Sequence, residues 1–152
     1  MSPEDSNAEI PPEGASVTLR RPNGKLQSFK GGGIFIPWGI AVDGNDNIWV
    51  ANFGGPRSGL VGLSQFCGAK PWNCPPGHKT GDPISPDTGY TSNGLVRITG
   101  LAIDPSGNVW LANNWVIDAL QNLENPGGHE VVVFIGLAAP VITPLLGPPR
   151  QP

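Results

Sequence analysis

Charge is what this sequence most lacks. Asp, Glu, Lys and Arg make up 14% of its 152 residues, against roughly 25% in an average globular domain. The 12 acidic and 9 basic residues leave a formal net charge of −3. Four of the acids, Glu4, Asp5, Glu9 and Glu13, fall within the opening segment, where no basic residue occurs. From residue 14 onward 9 basic residues stand against 8 acidic, so no basic face stands out and neither nucleic acid nor an anionic membrane is an expected partner. Long apolar runs are missing too. Nothing approaches the roughly 20 consecutive apolar residues that cross a bilayer, so no membrane span is expected. The opening MSPEDSNAEIPPEG has neither the basic nor the apolar region of a signal peptide. Only two histidines and two cysteines are present, which leaves few side chains for metal or nucleophilic chemistry.

Glycine and proline are plentiful instead, at 22 and 18 residues, and five tryptophans accompany them. Such a Gly and Pro content suits either disorder or many short strands joined by tight turns. The tryptophans and the dense apolar runs of the middle of the chain favour the strands.

An internal repeat organises that middle. Residues 39–52 read GIAVDGNDNIWVAN and residues 100–113 read GLAIDPSGNVWLAN. Seven of the fourteen positions are identical and four more exchange one aliphatic residue for another. Each copy reads as strand, turn, strand. Ile40–Val42 and Leu101–Ile103 are the first strands, and Ile48–Ala51 and Val109–Ala112 the second. Asp104-Pro105-Ser106-Gly107 suits a type I turn, with Asp first, Pro preset second and Gly free to take positive φ. Asp46 stands where Gly107 does, and Asp visits that region more readily than most residues.

These strands are apolar on both faces, so each sheet is expected to be covered on both sides. A hairpin of this kind, repeated, implies like sheets stacked on one another. Ser16–Arg20 and Lys25–Phe29, joined through Pro22-Asn23-Gly24, read as the two outer strands of a preceding sheet. Gly59–Phe66 and Glu130–Ile135 read as third strands of the two repeats. The fold expected is all-β, a partial β-propeller of about two to two and a half four-stranded antiparallel blades. The repeat offset of 61 residues (39 to 100) exceeds the roughly 40–50 of common propeller units. The excess is assigned to an insertion at 67–98, and a second insertion, 114–129, carries Val116, Leu120 and Leu123 at the spacing of a short helix. The domain layout expected is an acidic, disordered 1–15, blades over 16–139, and a Pro-rich, extended tail over 140–152.

PWGIAVDGNDNIWVAN and TGLAIDPSGNVWLAN resemble the NHL-repeat pattern, and look equally like the repeats of streptogramin B lyase propellers. The closing VVVFIGLAAPVITPLLGPPRQP looks like the end of exported bacterial NHL-repeat proteins. The resemblance implies a propeller of about six blades, of which this sequence holds two to three. It is therefore expected to be the C-terminal part of a longer protein, or else to assemble with other copies around an axis. Exposed blade edges make self-association an expectation in either case.

Cys67 and Cys74 enclose a short loop. A disulfide is preferred there over free thiols, and over two metal ligands joined by His78, because the spacing of structural zinc sites is missing. A disulfide would place the protein in an extracellular or periplasmic setting. Asp43, Asn45 and Asn47 imitate the start of a calcium loop, but Ile48 and Gly54 occupy the positions where Gly and Glu belong, so a turn is preferred. His129 stands just before a strand and is a minor candidate for the ring face. Streptogramin lyases use a histidine and a magnesium ion, and gluconolactonase-type propellers an axial metal, yet neither His78 nor His129 lies in a matching motif. No cofactor or metal is expected, and no Ser/His/Asp set can be assembled. Trp49 and Trp110 occupy equivalent positions and are expected in the core between sheets. Trp72 is expected to cap its own Cys loop. Trp38, Asn52, Phe53, Asn113 and Trp115 gather on one rim as candidate ligand-binding residues, for an unidentified protein or small molecule. The function expected is non-catalytic binding or scaffolding. The alternative is a metal-dependent lyase or lactonase whose site other blades or subunits complete.

Overall fold

The computed structural model describes residues 15–54, 61–114 and 130–141. These are all-β, with one 3₁₀ turn at Pro71–Asn73. Nine strands form three antiparallel sheets. β1 (Val17–Arg20) and β2 (Leu26–Phe29) make a hairpin. β3 (Pro37–Val42), β4 (Ile48–Asn52), β5 (Gly62–Phe66) and β6 (Tyr90–Thr91) form a four-stranded sheet in chain order. β7 (Gly100–Ile103), β8 (Val109–Asn113) and β9 (Glu130–Phe134) form a three-stranded one. Every strand read from the sequence is present within a few residues of its expected bounds. Among the described residues, no helix is long and apolar enough to cross a membrane. The proposed helix of the second insertion, His129 and the tail beyond Val141 lie outside the described residues, as does the acidic segment up to residue 14.

The repeat is realised twice in the same register. Ala41 pairs with Trp49 and Ile40 with Val50; sixty-one residues on, Ala102 pairs with Trp110 and Leu101 with Leu111. Both turns close with the Asp carbonyl accepting from the fourth residue, Asp46 N to Asp43 O and Gly107 N to Asp104 O, each at 3.0 Å. Asp46 takes φ 69° and Gly107 φ 80°, the left-handed conformation expected of both positions.

Sheet packs on sheet through one face of each. The trailing face of β3–β6 presents Trp49, Ala51 and Leu63, all 0% exposed. The leading face of β7–β9 presents Val109 and Leu111, also 0% exposed, flanked by Leu101, Ile103, Val132 and Phe134. The two sheets approach most closely through their first strands, β3 and β7. There a Cβ on Gly39 would stand only 3.0 Å from the Gly100 Cα, so glycine at this point of the repeat permits the contact. Farther out, Trp49 fills the gap and stacks on Tyr90, with ring centroids 5.6 Å apart.

After β9, residues 137–141 tie the two repeat turns together. Ala138 N donates to Gly107 O, Gly44 N to Ala139 O and Ala139 N to Asp43 Oδ2. Pro140 O passes so close to Gly44 that an added Cβ would stand 1.9 Å from it.

Three expectations need correction. Coverage on both faces holds only between the two large sheets. The trailing face of β7–β9 is open: Trp110 is 43% and Val131 66% exposed. Trp110 is thus a surface residue, because its core environment would require a following sheet. The segment 67–98 is also more than an insertion. It supplies β6, a bridge from Phe66 to Pro83, and the core residues Leu95 and Ile98. Finally, Trp72 lies in the 3₁₀ turn and is 76% exposed, so it caps nothing.

Candidate functional site

The conspicuous polar residues of the repeat hold the backbone. Asp43 accepts from the Trp49 indole at 2.9 Å and from the backbone N–H groups of Asn45 and Asn47 at 2.9 and 3.0 Å. Asp104 does the same with Trp110, Ser106 and Asn108. The calcium-like spacing is therefore a turn in which one carboxylate satisfies two amides and fixes the following tryptophan. Those bonds, the Trp110 indole foremost and then Asn108, hold the Asp104 pKa down to about 2. Among the described residues no cluster of His, Cys, Asp or Glu is arranged to hold a metal ion.

Asn52 and Asn113 close each repeat and are fully buried. Asn52 Oδ1 accepts from Phe35 N at 3.0 Å, while its Nδ2 donates to Gly33 O and to Ser64 Oγ. Asn113 Oδ1 accepts from Val96 N at 2.9 Å, and its Nδ2 donates to Gly94 O and Glu130 Oε1. Phe35 and Val96, like Gly33 and Gly94, are separated by the repeat offset. Each amide thus clamps the loop that enters its own sheet. Neither asparagine contributes surface to the rim.

Cys67 and Cys74 form a disulfide. It docks the 67–74 loop on the first repeat turn: Cys74 Sγ lies 3.3 Å from Asn47 Oδ1, and Asn73 Nδ2 donates to Asn45 O. His78 turns back on its own loop, with Nδ1 3.1 Å from Pro75 O.

Of the rim candidates, Trp38 and Phe53 do come together. Their rings stack at 4.5 Å and 18°. Trp38 is 55% exposed. Phe53 is half-buried and carries the Arg97 guanidinium 5.2 Å from its ring centroid. Arg97, 1% exposed, also donates to the Phe53 and Val96 carbonyls. A cation held on an aromatic face in a dry setting is worth about 2 kcal/mol or more, so the Phe53 ring is a fixed platform for Trp38. Arg97 was missed from the sequence, where nothing but its place between apolar Val96 and Ile98 marked it. Trp115 lies outside the described residues.

Trp38 opens onto a cleft between the β1–β2 hairpin and the leading face of β3–β6. One lobe, of about 240 Å³, is lined by Ser16, Val17, Thr18, Trp38, Ile40 and Val50. The other, of about 190 Å³, lies between Val17, Leu19 and Phe29 on one side and Val42, Ile48 and Phe66 on the other. The lining is apolar apart from hydroxyls, backbone and Asp46, so the cleft suits an apolar or aromatic group and not a highly charged one. Comparison with models of protein families, with curated proteins and with solved structures finds no match.

Proposed function

We propose that this chain is part of an NHL-type β-propeller and serves as a binding or scaffolding module, with recognition centred on Trp38. The sequence repeat, the stacked sheets that converge on β3 and β7, and the glycine contact between those strands support the propeller reading. The Cys67–Cys74 disulfide favours an oxidising compartment and hence an exported protein.

The observation that carries the binding role is the Trp38–Phe53–Arg97 stack. A half-exposed indole, braced from behind and opening on an apolar cleft, has lost its freedom before any ligand arrives, which lowers the entropic cost of binding. Propeller loops on one rim, carried by a rigid scaffold, are also where binding residues concentrate.

The test is a fragment screen followed by NMR on the full chain. Planar and apolar fragments should shift the Trp38 indole resonance saturably, and Trp38→Ala should abolish those shifts while leaving the remaining spectrum dispersed. Hits that map away from Trp38, or that survive its removal, would defeat the assignment.

A further inference from the structure

Two Asn-Gly pairs occur among the described residues, Asn23-Gly24 and Asn93-Gly94, and both asparagines are exposed. In such a pair the glycine nitrogen, with no Cβ beside it, is free to close a five-membered ring on the asparagine side-chain carbonyl. Closure requires that nitrogen to turn away from whatever it donates to. The two pairs differ in this respect. Gly24 N donates to Arg21 O at 2.9 Å within the β1–β2 turn, and Asn23 Oδ1 accepts from Lys25 N at 3.1 Å. Gly94 N reaches only Ser92 Oγ, at 3.4 Å, and among the described residues the Asn93 side chain makes no hydrogen bond.

The loop that carries Asn93 is the one held by the second clamp. Asn113 Nδ2 donates to Gly94 O at 2.8 Å, and its Oδ1 accepts from Val96 N and Arg97 N at 2.9 and 3.2 Å. A change of chain length or charge at residue 93 acts directly on these three bonds. It acts next on the guanidinium that Arg97 lays over Phe53. The first clamp has no such point. The residue equivalent to Asn93 there is Gly32, which is buried so close to Ser85 that an added Cβ would stand 2.7 Å from Oγ.

We propose that Asn93 is a site of spontaneous deamidation, and that its conversion unfastens the second clamp. Hydroxide takes the Gly94 N–H proton, the nitrogen bonds to Asn93 Cγ, and Nδ2 leaves as ammonia. Water then opens the cyclic imide at either carbonyl. One opening gives aspartate at position 93. The other gives isoaspartate, in which the main chain runs through the former side chain and gains one methylene. Both products carry a new carboxylate, and isoaspartate also shifts Gly94 O and Val96 N relative to the Asn113 amide. No redox partner is needed, and water is the sole co-reactant. The first clamp, with Gly32 in the equivalent place, keeps its bonds.

The full chain is incubated in native buffer at mildly alkaline pH and sampled over time by peptide mass mapping, with isoaspartate identified by electron-transfer fragmentation. Asn93 should convert at least about fivefold faster than Asn23, the factor that one intramolecular hydrogen bond is worth, and its rate should rise in proportion to hydroxide. Gly94→Ala should suppress conversion at Asn93 and leave Asn23 unchanged. That variant is expected to fold, because a Cβ on Gly94 meets nothing nearer than Ser92 Oγ at 4.0 Å. The converted chain, separated by its added negative charge on an anion exchanger, should show amide exchange at Val96 and Arg97 faster by about fivefold or more, with Phe35 unchanged. Conversion of Asn23 as fast as Asn93 would overturn the proposal. So would a stable Asn93 in the chain while a synthetic peptide of residues 90–97 converts, or conversion that persists in folded Gly94→Ala. Unchanged exchange at Val96 and Arg97 in the converted chain would overturn the unfastening. None of these readouts depends on ligand binding at Trp38.

Discussion

Replacing Asn52 with alanine separates a structural clamp from a recognition residue. The side chain is 0% exposed and makes three hydrogen bonds, to Phe35 N at 3.0 Å, Gly33 O at 3.2 Å and Ser64 Oγ at 2.9 Å. Alanine leaves one donor and two acceptors without this partner in a dry place. A buried group so stranded costs about 1–3 kcal/mol. Ser64 can rotate its hydroxyl and Gly33 O can accept elsewhere, so the Phe35 amide dominates, and a total loss of about 2–4 kcal/mol is expected. That is a large part of the roughly 5–15 kcal/mol of a typical domain. Urea unfolding followed by tryptophan fluorescence measures the change, provided the slope of the transition stays constant. Hydrogen exchange at Phe35 should accelerate more than exchange in β8, because the lost bonds tie down only the first entering loop. A loss below about 0.5 kcal/mol, the range of ordinary surface substitutions, would refute the clamp. Asn52 would then be free for the role its rim position first indicated.

Three further outcomes follow from the same geometry. Trp49→Ala should cost about 3–5 kcal/mol and Trp110→Ala about 1–2 kcal/mol in urea titrations, because the first side chain is enclosed and the second is 43% exposed; equal costs would contradict the open trailing face. The Asp104 carboxyl, held at about 2 against an ordinary 3.8, stabilises its turn fully above the ordinary value and loses that contribution as pH falls through 2. A carboxylate NMR titration should show this midpoint, and Trp110→Phe should raise it. Reducing the Cys67–Cys74 bond, whose partners are 7 residues apart, should cost about 2.5 kcal/mol by loop entropy. Alkylation of the native protein without reductant should leave both cysteines unmodified in the mass spectrum.

The strands were legible because the repeat shows its own pairing. A fourteen-position repeat at a fixed offset, seven positions of it identical, sets the hairpin, the turn and the side of the sheet on which each tryptophan lies. What it could not show was what stands in front of and behind each sheet. Trp49 and Trp110 have the same neighbours in sequence, yet one is enclosed and the other open, since burial here depends on the adjacent sheet and not on the strand itself. The role of Asn52 was hidden for a related reason. Its position at a strand end places it on the rim, but the loop 33–35 folds over it and takes up its amide. Trp38 and Phe53 were recognisable as members of one rim, whereas Arg97 arrives from a distant loop with no local pattern to announce it. β6, only two residues long, carries too little periodicity to be read within a Gly- and Pro-rich segment.

Two copies of one repeat fold alike and differ in whether another sheet covers them. Fluorine NMR of the 5-fluorotryptophan-labelled chain, with a soluble paramagnetic quencher, tests this directly. Resonances are assigned by single Trp→Phe replacements. Trp49 should be shielded from the quencher while Trp110 broadens along with the exposed Trp38 and Trp72. Equal broadening of Trp49 and Trp110, or equal protection of both, would contradict it.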